Sequence, residues 1–184
     1  MITSTKEWIN IERVRRSFSG FKDKKSPGPD RLSPIIFKHL PNRIVNHLVY
    51  IYSACVLLQF TPTLWKNTKV VFIPKPGKSD YSEPKSFRPI SLSNYLLKTL
   101  ERLCCWRMEE AISMDPLHTR QHGFRADRST ETAISDMTNY IEKYLFNKRH
   151  CVGIFLDISS AFDTISPKHI RETLLKKGGD PIMV

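Results

Sequence analysis

Several signatures that would assign chemistry directly are missing. No GxxxxGK[ST] stretch occurs, so there is no conventional phosphate loop. Cys55, Cys104, Cys105 and Cys151 form no CxxC pair and no zinc-like spacing with the six histidines, which excludes a zinc site of ordinary pattern. Three of these cysteines sit in apolar runs and read as buried free thiols of a reducing compartment. No histidine stands at a recognisable spacing from a serine or cysteine nucleophile. No apolar run approaches the roughly 20 residues that a membrane helix needs. The first residues carry an early acid, Glu7, and no apolar core of a secretory signal. Acids are outnumbered: 18 Asp and Glu stand against 29 Lys and Arg, a net charge of +11. That excess favours a polyanionic partner through counterion release, and a solvated basic face accounts for it as well.

What is present is enough for one ordinary domain, 184 residues of which 40% are hydrophobic. Ile9, Ile11, Val14 and Phe18 give a short helical stripe, followed by a basic-edged loop around Ser26-Pro27-Gly28-Pro29-Asp30. Ile44, Leu48, Ile51, Cys55 and Leu58, widened by Val45, Val49, Tyr52 and Val56, predict a largely buried helix within 34–62. Val70 to Ile73 predict a strand, Lys75 to Asp80 a turn, and Arg88 is pushed extended by Pro89. Ser93 is the expected N-cap of a helix with Leu96, Leu100, Leu103, Cys104, Met108 and Ala111 on its core face. A second helix is expected from Thr130 to Phe146, its positive end suited by Ser129 and Glu131. Its apolar side holds Ala133, Ile134, Met137, Ile141 and Leu145. Cys151 to Leu156 read as a central strand ended by Asp157; Ser166-Pro167 then opens a helix with Ile170, Leu174 and Leu175 inward.

Three groups of residues can carry chemistry. Asp157, at the end of an apolar strand and six residues before Asp163, stands where a sheet presents ligands such as magnesium. Strand-end acids also serve as caps or solvated surface. Lys66, Lys69, Lys75, Lys78, Lys85 and Arg88 crowd one strand and loop. They can grip a triphosphate or a nucleic-acid backbone, with Arg88 as a bidentate clamp, or form a solvated edge. Arg120, Arg125 and Arg128 flank Gln121-His122-Gly123-Phe124, whose one aromatic either stacks on a template base or is pinned into the core.

Together these pieces resemble the reverse transcriptase of insect non-LTR retrotransposons, the jockey-like and ribosomal-DNA-inserting branch. The motifs run in the family's order: Ser26-Pro27-Gly28-Pro29-Asp30, Ile73-Pro74-Lys75-Pro76-Gly77-Lys78 and Phe87-Arg88-Pro89-Ile90-Ser91-Leu92. Lys98-Thr99-Leu100-Glu101 follows, then Gln121-His122-Gly123-Phe124-Arg125 with Ser129-Thr130, and Phe155-Leu156-Asp157-Ile158-Ser159-Ser160-Ala161-Phe162-Asp163. The resemblance implies an α+β right-hand polymerase fold, fingers and the first part of the palm only, with the palm's antiparallel strands incomplete. It divides the chain into 1–33 (N-terminal helix and basic loop), 34–150 (fingers with part of the palm) and 151–184 (first catalytic palm strand and its helix).

The resemblance further implies that Asp157 is the first catalytic aspartate. With the Ile158 carbonyl it would hold two Mg2+, Mn2+ being a possible substitute. Phe162 would lie beneath the sugar of the incoming nucleotide and exclude a 2′-hydroxyl. Lys75 and Arg88 would meet the triphosphate, and Gln121, Gly123 and Arg125 the template or primer backbone. Asp163 would cap the strand-to-helix turn. Implied partners are template RNA, a DNA primer, dNTPs and the remaining polymerase and endonuclease regions of a parent polypeptide, with no membrane. The implied location is intracellular, in the nucleus during integration and also the cytoplasm. The family's Asp-Asp hairpin is absent, since Asp-Asp occurs nowhere in the chain. The alternatives are a catalytically dead nucleic-acid-binding remnant and a structural domain derived from the same fold. The expectation is that the 184 residues alone do not incorporate dNTPs in a primer-extension assay with magnesium. Template-directed incorporation abolished by Asp157→Asn would contradict it.

Overall fold

A computed structural model describes residues 8–112 and 117–181, without the side chains at 111, 112, 162 and 163. Its elements are α1 (Ile11–Ser19), α2 (Pro34–Lys38), α3 (Asn42–Leu57), α4 (Thr63–Lys66), β1 (Lys69–Pro74) and β2 (Phe87–Leu92), then α5 (Tyr95–Ile112). They continue with α6 (Thr130–Phe146), α7 (Ala161–Thr164) and α8 (Pro167–Lys176). The fold is α+β and helix-rich, and its sheet among the described residues is one antiparallel pair. Two compact units divide the chain, Met1–Ala111 with Gly179–Val184, and Ile112–Gly178.

In the first unit, Asn10 caps α1 by accepting the Arg13 amide at 2.9 Å, and Val14, Ser17 and Phe18 turn inward against α2 and α3. Phe18 meets Phe37 with ring centroids 5.3 Å apart, and Phe21 meets Tyr95 edge-on at 4.8 Å. Val45, Tyr52, Leu100 and Leu103 complete the centre of this core. The arginines of α1 are spent within it: Arg13 pairs with Glu110, Arg15 donates to the Leu40 carbonyl at 2.9 Å, and Arg16 lies 4.8 Å over the Trp106 ring. From α5, Arg102 donates to the Ser17 carbonyl at 2.7 Å and covers the Phe21 ring at 4.2 Å.

The stretch 34–62 holds two helices, α2 and α3, with α4 opening just after it, because Pro41 and Pro62 stand at N-caps where no intrahelical N–H is required. The buried face of α3 is Val45, Tyr52, Cys55 and Val56, whereas Ile44, Ile51 and Leu58 of the expected stripe are exposed. The two candidate stripes are nearly adjacent around the helix, and contact with α1 selects one of them. At α5 the cap is Asn94 rather than Ser93: the Asn94 side chain accepts the Leu97 amide at 2.8 Å. Asn94 also donates to the Leu64 and Trp65 carbonyls at 3.4 and 3.3 Å, joining α4 to α5, and is itself buried. Leu100 and Leu103 are buried, Leu96 and Cys104 half-buried, and the Ala111 side chain lies outside the described residues.

Gly28 packs on this same junction. A Cβ at position 28 would stand 2.7 Å from the Asn94 nitrogen, so only glycine lets the Pro-rich loop lie on the α5 start. The Tyr95 hydroxyl donates to the Ser26 carbonyl at 3.2 Å and secures the loop. β1 and β2 leave and rejoin this junction, pairing from Lys69↔Leu92 to Pro74↔Phe87. Gly77 takes φ +75° in the turn, and every β1 residue is exposed.

In the second unit, α6 has the predicted bounds, with Ser129 and Thr132 in a reciprocal capping box. The Ser166 hydroxyl caps α8 by accepting the His169 amide at 3.2 Å, with Pro167 at the first helical position. The apolar side of α8 is not inward as expected, Ile170 and Leu175 being exposed and Leu174 half-buried, and Ile134, Met137 and Leu145 of α6 are exposed as well. Residues 151–156 do not form a strand either, and Leu156 is 91% exposed. A strand exists only against a neighbour, and no described segment pairs with this one. The thiols divide for the same reasons. Cys55 is buried and Cys104 half-buried, its pKa pushed up to about 11 mainly by burial. Cys105, one residue round the helix, and Cys151 in the unpaired segment are exposed, so fewer thiols are buried than the three expected.

Gly28→Ala should destabilise the chain by about 1–3 kcal/mol in urea unfolding, because the clash is with backbone that cannot turn aside. Gly20→Ala should cost less, since its new Cβ meets the Arg102 guanidinium end at 2.8 Å. Equal losses at the two positions would refute the assignment of Gly28 to a close backbone approach.

Candidate functional site

Basic residues gather on the β1–β2 hairpin. The Lys75 amide donates to the Ser86 carbonyl at 2.8 Å, extending the ladder beyond Pro74↔Phe87. Strand alternation then places Lys75 on the same face as Ile73 and its partner Arg88, as a diagonal neighbour of Arg88. The Lys75 ammonium folds back to donate to the Lys85 carbonyl at 2.8 Å, and Lys85 pairs with Glu83 at 2.5 Å. Arg88, Lys66, Lys69 and Lys78 stay exposed. Behind the turn, the Tyr81 hydroxyl donates to the Lys75 carbonyl at 2.8 Å and its ring stands 6.0 Å from Phe87. Two hydrogen bonds from Ser82 hold the Asp80 carboxyl below its ordinary pKa. The arrangement is a cation-bearing arm stiffened at its tip.

The loop before α6 is also ordered from within. The Gln121 amide donates to the His118 carbonyl at 2.9 Å, Arg125 donates to that carbonyl at 3.1 Å, and the Gln121 side chain donates to the Gly123 carbonyl at 3.2 Å. The His122 imidazole ties the loop to α6, with Nδ1 2.9 Å from the Thr132 hydroxyl and Nε2 3.1 Å from Asp136. Gly123 has open space where a Cβ would stand. Phe124, at φ +56°, is 94% exposed, so the structure selects the outward alternative for this ring. A groove of about 470 Å³ runs along α6, lined by Arg120, His122, Asp136, Met137 and Tyr140. A second hollow of about 380 Å³ continues it past His122 to Phe124 and Arg128. The His122 tether and Tyr140 were not singled out from sequence. The signal was available, because Thr132, Asp136 and Tyr140 recur at four-residue steps on one helical face.

Asp157 and Ile158 are exposed in the unpaired segment, and the backbone turns at Ser160 with φ +52° into α7. The side chains of Phe162 and Asp163 lie outside the described residues. Among the described residues no group of three or more His, Cys, Asp or Glu is placed to hold a metal ion. Asp157 offers one carboxylate, which does not balance a pair of divalent ions, so the described residues do not by themselves fit a two-magnesium centre.

Residues 73–180 match a family model described as reverse transcriptase (RNA-dependent DNA polymerase). The probable RNA-directed DNA polymerase from transposon BS of Drosophila melanogaster is 35% identical over 158 residues, 85% of this chain and 17% of that protein. The RNA-directed DNA polymerase from mobile element jockey of the same species is 30% identical over 158 residues, again 85% and 17%. The Pol polyprotein from the R2DM element of that species is 31% identical over 176 residues, 93% of this chain and 15% of that protein. The chain thus spans about a sixth of the length of these curated relatives.

Proposed function

Since the chain belongs to the reverse transcriptase family and is homologous to the enzymes of non-LTR retrotransposons, we propose that it is the fingers and first part of the palm of a polymerase that copies element RNA into DNA. The observation that carries this reading is the β1–β2 hairpin, which sets Lys75 and Arg88 on one face beyond a mount of its own. Arg88, exposed and extended, presents a planar fork suited to the oxygens of a dNTP triphosphate, with Lys75 beside it as a second cation. Phe162 bounds the sugar and excludes the 2′-hydroxyl. Asp163 caps the turn into α7. Gln121, Gly123 and Arg125 contact the template or primer backbone, Gly123 by its open approach.

Asp157, with the Ile158 carbonyl beside it, is one member of a carboxylate set whose other members come from a longer polypeptide. The relatives' greater length supports this, as does the exposure of 151–158, a β-forming run that a neighbouring strand would cover. That polypeptide also supplies an endonuclease region, and copying takes place inside the cell, at chromosomal DNA in the nucleus, with the cytoplasm a second location. The absence of a metal-holding cluster among the described residues favours one other reading, a nucleic-acid-binding remnant without catalysis. That remnant would bind primer-template in a salt-sensitive way with no added stabilisation by dNTPs.

In the full-length polypeptide, Asp157→Asn should lower RNA-templated primer extension by at least about a hundredfold. Arg88→Ala should raise the KM for dNTP more than it lowers kcat. Unchanged extension by the Asp157 variant would reject the catalytic reading.

A further inference from the structure

α3 is apolar on more sides than the core of the first unit uses. Among its residues only Arg43 is a Lys, Arg, Asp or Glu. Val45, Tyr52, Cys55 and Val56 are spent in the core. On another side Ile44 and Ile51 are 42% and 43% exposed, and Leu58 at the C-cap is 73% exposed. These three stand seven residues apart, with half-buried Leu48 between the first two. Seven residues make two turns less about 20°, so they form one stripe about 21 Å long. The end of the stripe is closed rather than frayed. The Gln59 amide donates to the Val56 carbonyl at 3.1 Å and the Phe60 amide to the Cys55 carbonyl at 2.9 Å, with Gln59 at φ +49°. Leu58 and Phe60 stay outward at that closure.

A single exposed aliphatic residue is ordinary surface, but a helix apolar on two sides packs on two sides. Ile44, Leu48 and Ile51 recur at steps of four and three, the seam that a second helix meets at about 20°. Charge selects which helix. No Asp or Glu occurs between residues 31 and 79, against seven Lys and Arg. Arg43 and His47 beside the stripe and Lys66 beyond it are exposed, while Lys38 is taken by Asp23 at 2.6 Å. A second copy of α3 would set cations against cations. Nucleic acid would satisfy the cations and leave the aliphatic stripe in water. A helix with apolar residues at the same spacing and carboxylates beside them satisfies both. About five-sixths of the length of the curated relatives lies outside the part that this chain matches, which is ample chain to supply one.

Resting on the longer polypeptide of the proposed function, we propose that the stripe of Ile44, Ile51 and Leu58 on α3 seats an acid-bearing amphipathic helix from another part of that same polypeptide. The apolar residues of that helix lie along Ile44, Leu48, Ile51 and Leu58, and its carboxylates meet Arg43 and His47.

The test is photo-cross-linking of the purified full-length polypeptide carrying Ile51→p-benzoylphenylalanine, with Asn46→p-benzoylphenylalanine as the control on a different side of α3. Position 51 should cross-link within one copy, at least about tenfold more than position 46, which lies roughly 140° round the helix. The captured peptide should lie outside the 184 residues and hold more Asp and Glu than Lys and Arg. Arg43→Glu should lower the yield from position 51 about threefold. In the 184-residue chain Ile51→Glu should leave the urea midpoint where it is in the parent. A lowered midpoint would place Ile51 in the chain's own core and overturn the proposal. So would cross-links that stay within the 184 residues, join two copies, capture a basic segment or form equally from position 46, and so would none from position 51. A yield unchanged by Arg43→Glu would overturn the acidic partner. Primer extension by the same preparation reports on the polymerase reading separately: its absence beside the expected cross-link would reject that reading and keep this one.

Discussion

The hydrogen bonds of Asn94 decide where the hairpin stands. Its amide caps α5 through the Leu97 nitrogen, its NH2 reaches the carbonyls of Leu64 and Trp65, and Gly28 lies against its backbone. β1 begins three residues after α4, and β2 ends two residues before Asn94. A two-stranded ribbon whose first strand is wholly exposed has little packing of its own to orient it. Its direction comes from its base. The Ser-Pro-Gly-Pro-Asp loop is thus part of the same device that aims Lys75 and Arg88.

Charge is divided between two uses. The +11 excess suggests a partner of opposite sign, yet the arginines of α1 and Arg102 are consumed inside the first unit as ring covers, ion pairs and donors to carbonyls. Arg88, Lys69 and Lys78 on the hairpin are left to solvent, as are Lys24, Lys25, Arg43, Lys148 and Lys168 elsewhere. In the second unit the apolar sides of α6 and α8 and the run 151–156 are outward. On the proposed function, this exposed apolar surface is what the rest of a longer polypeptide would cover.

The parts legible from sequence are those set by near neighbours in the chain. Ser129 and Ser166 cap the helices they were expected to cap, and Pro74 and Pro89 bound or stiffen the strands around a turn where Gly77 supplies the positive φ. What was misread depends on contacts across the fold. Periodicity alone did not choose Val45 and Tyr52 over Ile44 and Ile51, because the choice is made by α1. Asn94 displaced Ser93 as a cap because its amide serves two helices at once. The run Cys151 to Leu156 has strand composition, and composition does not supply a partner. The His122 tether joins a loop to a helix ten and fourteen residues on, and the four-residue spacing of Thr132 and Asp136 marks only the helical face that receives it.

The claim that the cation-bearing arm is held from its base is tested most directly by native-state hydrogen exchange on Asn94→Ala. Loss of the cap and of the bonds to α4 should speed exchange of the amides in Lys69–Pro74 and Phe87–Leu92 by about tenfold. Amides of α1 should keep the protection they have in the parent chain. Hairpin exchange that is unchanged, or that rises only in step with α1, would contradict it.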